Sequence, residues 1–339
     1  MPDTWKLHAA FLLAVGTILL LFFQPSLLPD LLASSGNGIH TFKTMLISIL
    51  LEALPFLLLG VFVSSFMQAF VPESWFRKWI PKNPVLGVLV VCLIGIVFPL
   101  CECGMIPIVR RLVSKGLPLY AGVAFILVGP IVNPIVFSAT FAAFRTKPEM
   151  GYARMGLAVA VALAIALVVF FFVKSNPMRH STGGTEGQHV HGPGHDHHHH
   201  HRRRNKLEEM LEHAGGEFFD MGKFLVLGAL ITAAVQSFVP RADLVGIGQG
   251  PFTSHLFMMG FSFALSLCST SDAFVASSFA GSFSMGSLLT FLVFGPMLDL
   301  KSTLMLLSVF KTKFVLFLAA MIAITTLAGA WIVGSLLWS

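Results

Sequence analysis

Polar and hydrophobic positions in this chain segregate into long blocks, not into the short alternation of a soluble domain. Apolar runs fall at about 8–33, 44–70, 84–112, 118–144, 152–173, 218–239, 253–280, 285–309 and 313–336, joined by short polar loops. Most exceed the roughly 18–20 residues that a helix needs to cross a bilayer. The pattern predicts an all-α polytopic membrane protein. One long polar stretch, Lys174 to about His213, breaks the series, and it carries His189, His191, His195, His197, His198, His199, His200 and His201 ahead of Arg202–Arg204. That composition predicts a flexible, metal-philic linker. The chain therefore divides into an N-terminal transmembrane helix (1–40), a first unit (41–173), the His-rich linker (174–214) and a second unit (215–339).

The two units repeat. A shift of 168 residues lays Phe56–Pro72 on Phe224–Pro240 with eight of seventeen positions identical, Gly60/Gly228 and Gln68/Gln236 among them. It also places Glu52 on Asp220. Further along, Leu100-Cys101 meets Leu267-Cys268 and Gly129-Pro130 meets Gly295-Pro296, with the offset drifting to 166.

The loop charges favour an inverted arrangement. If all nine runs cross, Lys and Arg divide evenly between the two sides. If 84–112 and 253–280 dip in and return, fifteen fall on one side against five on the other, the five being Lys43, Arg145, Lys147, Arg154 and Arg241. The positive-inside rule selects the second case and puts the His-rich linker in the cytoplasm. Each repeat then has an odd number of crossings, so the halves are inverted, with two re-entrant broken-helix hairpins. Such hairpins meeting near the midplane are common in secondary transporters.

Composition narrows the classes. Hydrophobic residues make up 55% of the chain and charged residues 11%, with a mean hydropathy of +0.82; soluble domains average roughly 25% charged. The net charge of +6 resides mostly in loops and does not signal nucleic acid. Cys92, Cys101, Cys103 and Cys268 all lie in apolar runs, which is no secreted disulfide framework. The first apolar run is too long for a signal-peptide core and lacks a small-residue cleavage site. No P-loop is present, so no ATPase in this chain powers transport.

Candidate chemistry gathers at the helix breakers. Cys101-Glu102-Cys103 lies between Pro99 and Gly104. Thiols two apart on a regular helix diverge by about 200°, whereas an unwound turn lets both face one cavity and take a soft cation. Cys268 is a candidate third sulfur, with Asp272 one turn on. Cys92 reads as packing. Asn133 after Gly129-Pro130, and Asp299 after Gly295-Pro296, suit discontinuous helices that meet a cation; the bland reading of Asp299 is a pair with Lys301. Charges at this depth cost about 2.5–3.5 kcal/mol each on insertion scales, so Glu52, Glu102, Asp272, Asp299 and Lys301 imply a purpose. Glu52 and Asp299 are the candidate proton carriers. Arg110, Arg111 and Lys115 mark the cytoplasmic mouth of the first hairpin.

With Pro99-Leu-Cys-Glu-Cys-Gly104, Gly129-Pro-Ile-Val-Asn-Pro134 and Gly295-Pro-Met-Leu-Asp299, the chain resembles the ArsP/YraQ-type permeases over about 40–336. The resemblance implies an inner-membrane permease, some relatives exporting trivalent organoarsenicals and others associated with zinc or copper efflux. Relatives carry a Pro-Leu-Cys-Ser-Cys-Gly-like turn; Glu102 replaces its serine here and favours a harder ion. The expectation is a proton-coupled secondary permease, not an enzyme, exporting a thiophilic metal or metalloid. It needs no cofactor, the metal ion being cargo. Cys101, Glu102, Cys103, Cys268, Asn133, Asp299 and Asp272 would hold substrate, and the linker histidines would capture metal. Its surroundings are the lipid bilayer, with a homo-oligomer or a small partner membrane protein as company. Import of metal or of a small sulfur-containing solute, a thiol–disulfide oxidoreductase at Cys101/Cys103, and a metal sensor built on the linker remain open alternatives.

Overall fold

The computed structural model describes residues 38–70, 84–97, 101–173, 177–178, 206–238 and 250–338. The expected N-terminal helix at 8–33, Pro99 and the linker histidines His189–His201 lie outside the described residues. Within them the chain is helical, and five helices are long and apolar enough to cross a membrane.

Twelve described helices run in two parallel series. The first half gives α1 (Gly38–Phe70), α2 (Pro84–Val97), α3 (Glu102–Ser114), α4 (Leu119–Val128), α5 (Pro134–Ala143) and α6 (Glu149–Phe172). The second gives α7 (Lys206–Phe238), α8 (Pro251–Leu265), α9 (Ser271–Ser278), α10 (Met285–Met297), α11 (Leu300–Val309) and α12 (Thr312–Leu337). Helix α7 starts eight residues inside the stretch read as linker. Lys206–His213 has good helix formers with Leu207, Met210 and Leu211 on one stripe, so the pattern continues without a breaker.

The apolar run at 118–144 is two helices. Gly129 ends α4, and Asn133 opens α5 by accepting a hydrogen bond from the Val136 amide, with Pro134 in the first helical position where its missing N–H costs nothing. The matching run at 285–309 breaks at Leu298-Asp299. There the Asp299 carboxylate caps α11 through the Ser302 amide, and the Ser302 hydroxyl takes the Asp299 amide in return. Pro296 sits in the last turn of α10 and the break follows it. The run at 253–280 likewise parts between Leu265 and Ser271, where Ser266 adopts a left-handed φ of 47°.

The 33-residue helices α1 and α7 lie along each other, joined by Leu46, Leu50, Val226, Ala229 and Ala233. Helices α2, α4 and α6 pack together, as do their counterparts α8, α10 and α12. The halves interlock at α6 on α12, α3 on α11, and α5 on α9. Helix α1 crosses α3 at Gly60, where a Cβ would lie only 2.4 Å from the Gly104 carbonyl oxygen. No side chain fits there, and that contact holds the start of α3 against α1.

Candidate functional site

Helix α3 begins at once after Cys101, which is its N-cap in extended conformation (φ −75°, ψ 166°). The expected unwound turn is therefore a single bend at Cys101, with Glu102 and Cys103 already in the first helical turn. The two thiols remain neighbours across that bend, each acting on the other. Cys101 is half-buried and Cys103 fully buried, and all four cysteines are free. Cys92 is buried in the apolar core.

Glu102 is buried, and the cation that answers it comes from the other half. Lys301 Nζ lies 3.7 Å from Glu102 Oε1 and 3.9 Å from Asp299 Oδ2, all three side chains less than 8% exposed. Lys301 comes within 3.5 Å of the Ser266 carbonyl, and the Ser266 hydroxyl accepts from the Leu300 amide at 3.1 Å. The bend between α8 and α9 is thus tied to the break before α11. The ammonium acts electrostatically on Cys101 and Cys103 as well. Glu52 acts on Glu102 and, with Glu102, on Cys268. Glu52 itself is exposed on α1, in the middle of the His40–Phe66 span.

Two carboxyl groups share one ammonium in a buried cluster. Among the described residues Glu102 Oε2 and Asp299 Oδ2 have no hydrogen-bond partner. Buried acids with a spare oxygen favour a proton or a bound cation beside them. Asp299 divides its work, one oxygen capping α11 and the other facing Lys301. Asn133 bonds wholly within its own turn, to the Val136 amide at 2.8 Å and the Pro130 carbonyl at 3.4 Å. Among the described residues no three His, Cys, Asp or Glu side chains form a group that could hold a metal ion.

Arg154 differs from expectation. It was counted with the loop cations, yet it is fully buried in α6, on the stripe of Met150, Leu157, Ala158 and Val161. It meets Asp272 at 2.7 Å, the Thr140 hydroxyl at 2.8 Å and the Ser269 carbonyl at 3.1 Å. Asp272 is therefore engaged by the first half and stands one helical turn beyond Cys268, whose carbonyl its amide bonds at 3.0 Å. For Arg154 the available sequence signal was its place in an apolar stripe, with apolar residues four before and three, four and seven after. Arg111 also has a partner: it lies 3.4 Å from buried Glu217, which accepts from Ser64 at 3.0 Å and joins α1, α3 and α7.

The chain matches the family model of the ArsP-type predicted permeases over residues 38–335. It belongs to that permease family. The UPF0718 protein YcgR of Bacillus subtilis is 48% identical over 291 residues, 86% of this chain and 96% of the relative. A Streptococcus mutans protein described as a putative two-component membrane permease complex subunit is 37% identical over 270 residues, 80% of this chain and 87% of its own. No solved structure shows a significant match. The chain is thus a multi-pass membrane permease and a transporter rather than an enzyme.

Proposed function

We propose that this permease exports a thiophilic metal or metalloid across the cytoplasmic membrane in exchange for protons. The observation that carries the reading is the thiol pair Cys101/Cys103 beside a buried cluster in which two acids share one ammonium. Two sulfurs, with no third His, Cys, Asp or Glu grouped with them among the described residues, suit transient cargo, because a path must release what it binds. Zn(II), Cu(I) and trivalent arsenic accept thiolate ligands. Glu102, Asp299 and Glu52 supply the exchangeable protons, and Cys268 the additional sulfur.

Inverted repeats with α2–α3 and α8–α9 as re-entrant hairpins agree with the paired element order and the reciprocal packing of α3 on α11 and α5 on α9. Burial of Arg154 removes one charge from the minority side, which strengthens the bias that puts the linker in the cytoplasm, where its histidines capture metal. An exposed carboxylate in mid-span needs water or protein beside it. Glu52 therefore faces a vestibule or a partner subunit, the latter in keeping with the description of the streptococcal relative.

The test is elemental analysis of expressing cells challenged in turn with zinc, copper, cadmium and inorganic or methylated arsenic. One element should fall in the wild type and recover in Cys101→Ser. A rise in place of the fall would assign import. No change in any element, with expression sound, would remove the metal reading.

A further inference from the structure

A cavity of about 720 Å³ opens in the second half between the start of α8, the α9–α10 loop and the end of α12, lined by His255, Phe283, Trp331 and Trp338 among glycines and serines. It is remote in sequence from the thiol cluster, and the first half has no room for its equivalent. There Tyr120 lies over Gly87, where a Cβ would come within 2.9 Å of the phenol oxygen, and Phe170 closes on the ring edge-on at 5.4 Å. The repeat offset carries Gly87 to His255 and Tyr120 to Gly286. The sizes are exchanged: a Cβ on Gly286 would lie 3.1 Å from the His255 ring. The second half thus carries an imidazole, on the opposite helix, where the first carries a phenol.

The walls carry oriented polar groups. His255 is buried; its Nδ1 meets the Thr290 hydroxyl at 2.7 Å, and that hydroxyl donates to the Gly286 carbonyl. Nδ1 is therefore the protonated nitrogen, and Nε2, with no hydrogen bond among the described residues, presents a lone pair. Among the described residues the buried indole N–H of Trp338 has no acceptor. The Trp331 ring lies 5.5 Å from the imidazole. No charged side chain among the described residues lines the space, so a bare ion would be uncompensated by them. Gly250 and Ser284 cap helix starts and Trp338 follows the end of α12, so the cavity lies at the helix ends, and two tryptophans line it, as suits the level of lipid head groups.

We infer that this cavity binds a phosphoethanolamine head group: the primary ammonium against the indole faces and on His255 Nε2, a phosphate oxygen on the Trp338 N–H. The ligand is neutral overall, as the uncharged walls require, and its donors and acceptors complement theirs.

The test is native mass spectrometry of the full-length chain exchanged into equal mole fractions of phosphatidylethanolamine, phosphatidylcholine and phosphatidylglycerol. Phosphatidylethanolamine should be retained roughly fivefold over phosphatidylcholine and phosphatidylglycerol, the factor one hydrogen bond supplies, because neither a trimethylammonium nor a glycerol can donate an ammonium N–H to His255 Nε2. The preference should vanish in His255→Leu, whereas Trp338→Phe, which removes a phosphate contact that all three lipids share, should weaken retention of all three. Displacement by soluble glycerophosphoethanolamine would assign recognition to the head group alone; preference without displacement would assign it to the intact lipid. Equal retention of the three lipids, or a preference that survives His255→Leu, would overturn the proposal.

Discussion

At the scale of single residues, the buried ions have unequal roles. Lys301 serves two acids, so Lys301→Met leaves both Glu102 and Asp299 without a cation and should destabilise the protein by about 3–5 kcal/mol. Glu102→Gln leaves Lys301 with Asp299 and should be tolerated in folding while removing a titratable group. Thermal unfolding of the two purified variants separates them: a large loss for the lysine variant and a small one for the glutamine variant. Equal losses would mean the carboxylate is there for structure. Arg154→Leu likewise strands Asp272 and should cost about 3–5 kcal/mol, most of it recovered in Arg154→Leu/Asp272→Leu, because apolar pairs often replace buried ion pairs at little cost. A double variant no more stable than the single one would show that Thr140 and Ser269 depend on the pair.

At the scale of elements, the broken helices were legible because their punctuation is chemical. Gly-Pro followed by Asn133 or Asp299 spells a helix stop and a cap, and both residues cap as that chemistry dictates. Their role as caps competes with the role in cation binding that the same residues invited. The start of α3 was less legible: Pro99 and Gly104 implied an unwound turn, but Gly104 is spent on the close crossing with α1. Gly60→Val should therefore push α1 from α3 and misplace Cys101 and Cys103. Alkylation of the two thiols by a membrane-permeant maleimide should change rate relative to wild type, with Gly60→Ala intermediate. Unchanged rates in both variants would refute the crossing as the anchor of the thiol turn.

At the scale of the molecule, each half gives the other its counter-ion. Glu102 of α3 meets Lys301 of α11, and Asp272 of α9 meets Arg154 of α6. The duplication could be read from sequence, but these pairings could not, since nothing in a linear chain reveals which cation answers which acid across 118 residues. The same limit hid the Arg111–Glu217 link. On the proposed reading, cargo at the thiol cluster would lie on the seam between the halves, where a rocking motion would carry it from one face to the other. Deleting residues 189–201 should lower capture of dilute metal and leave maximal flux unchanged. A loss of maximal flux would place the histidines in the path itself.

The central claim is that Cys101 and Cys103 form a cargo site that Glu102 couples to protons. Its most direct test is flux in proteoliposomes with an imposed pH gradient, using the element named by the cellular assay. Wild type should transport only with the gradient, and affinity should fall as the pH drops from about 8 to 5.5, because thiols must lose protons to ligate. Cys101→Ser and Cys103→Ser should abolish flux, while Glu102→Gln should keep cargo binding and lose the response to the gradient. Undiminished, gradient-driven flux in all three variants would contradict the account.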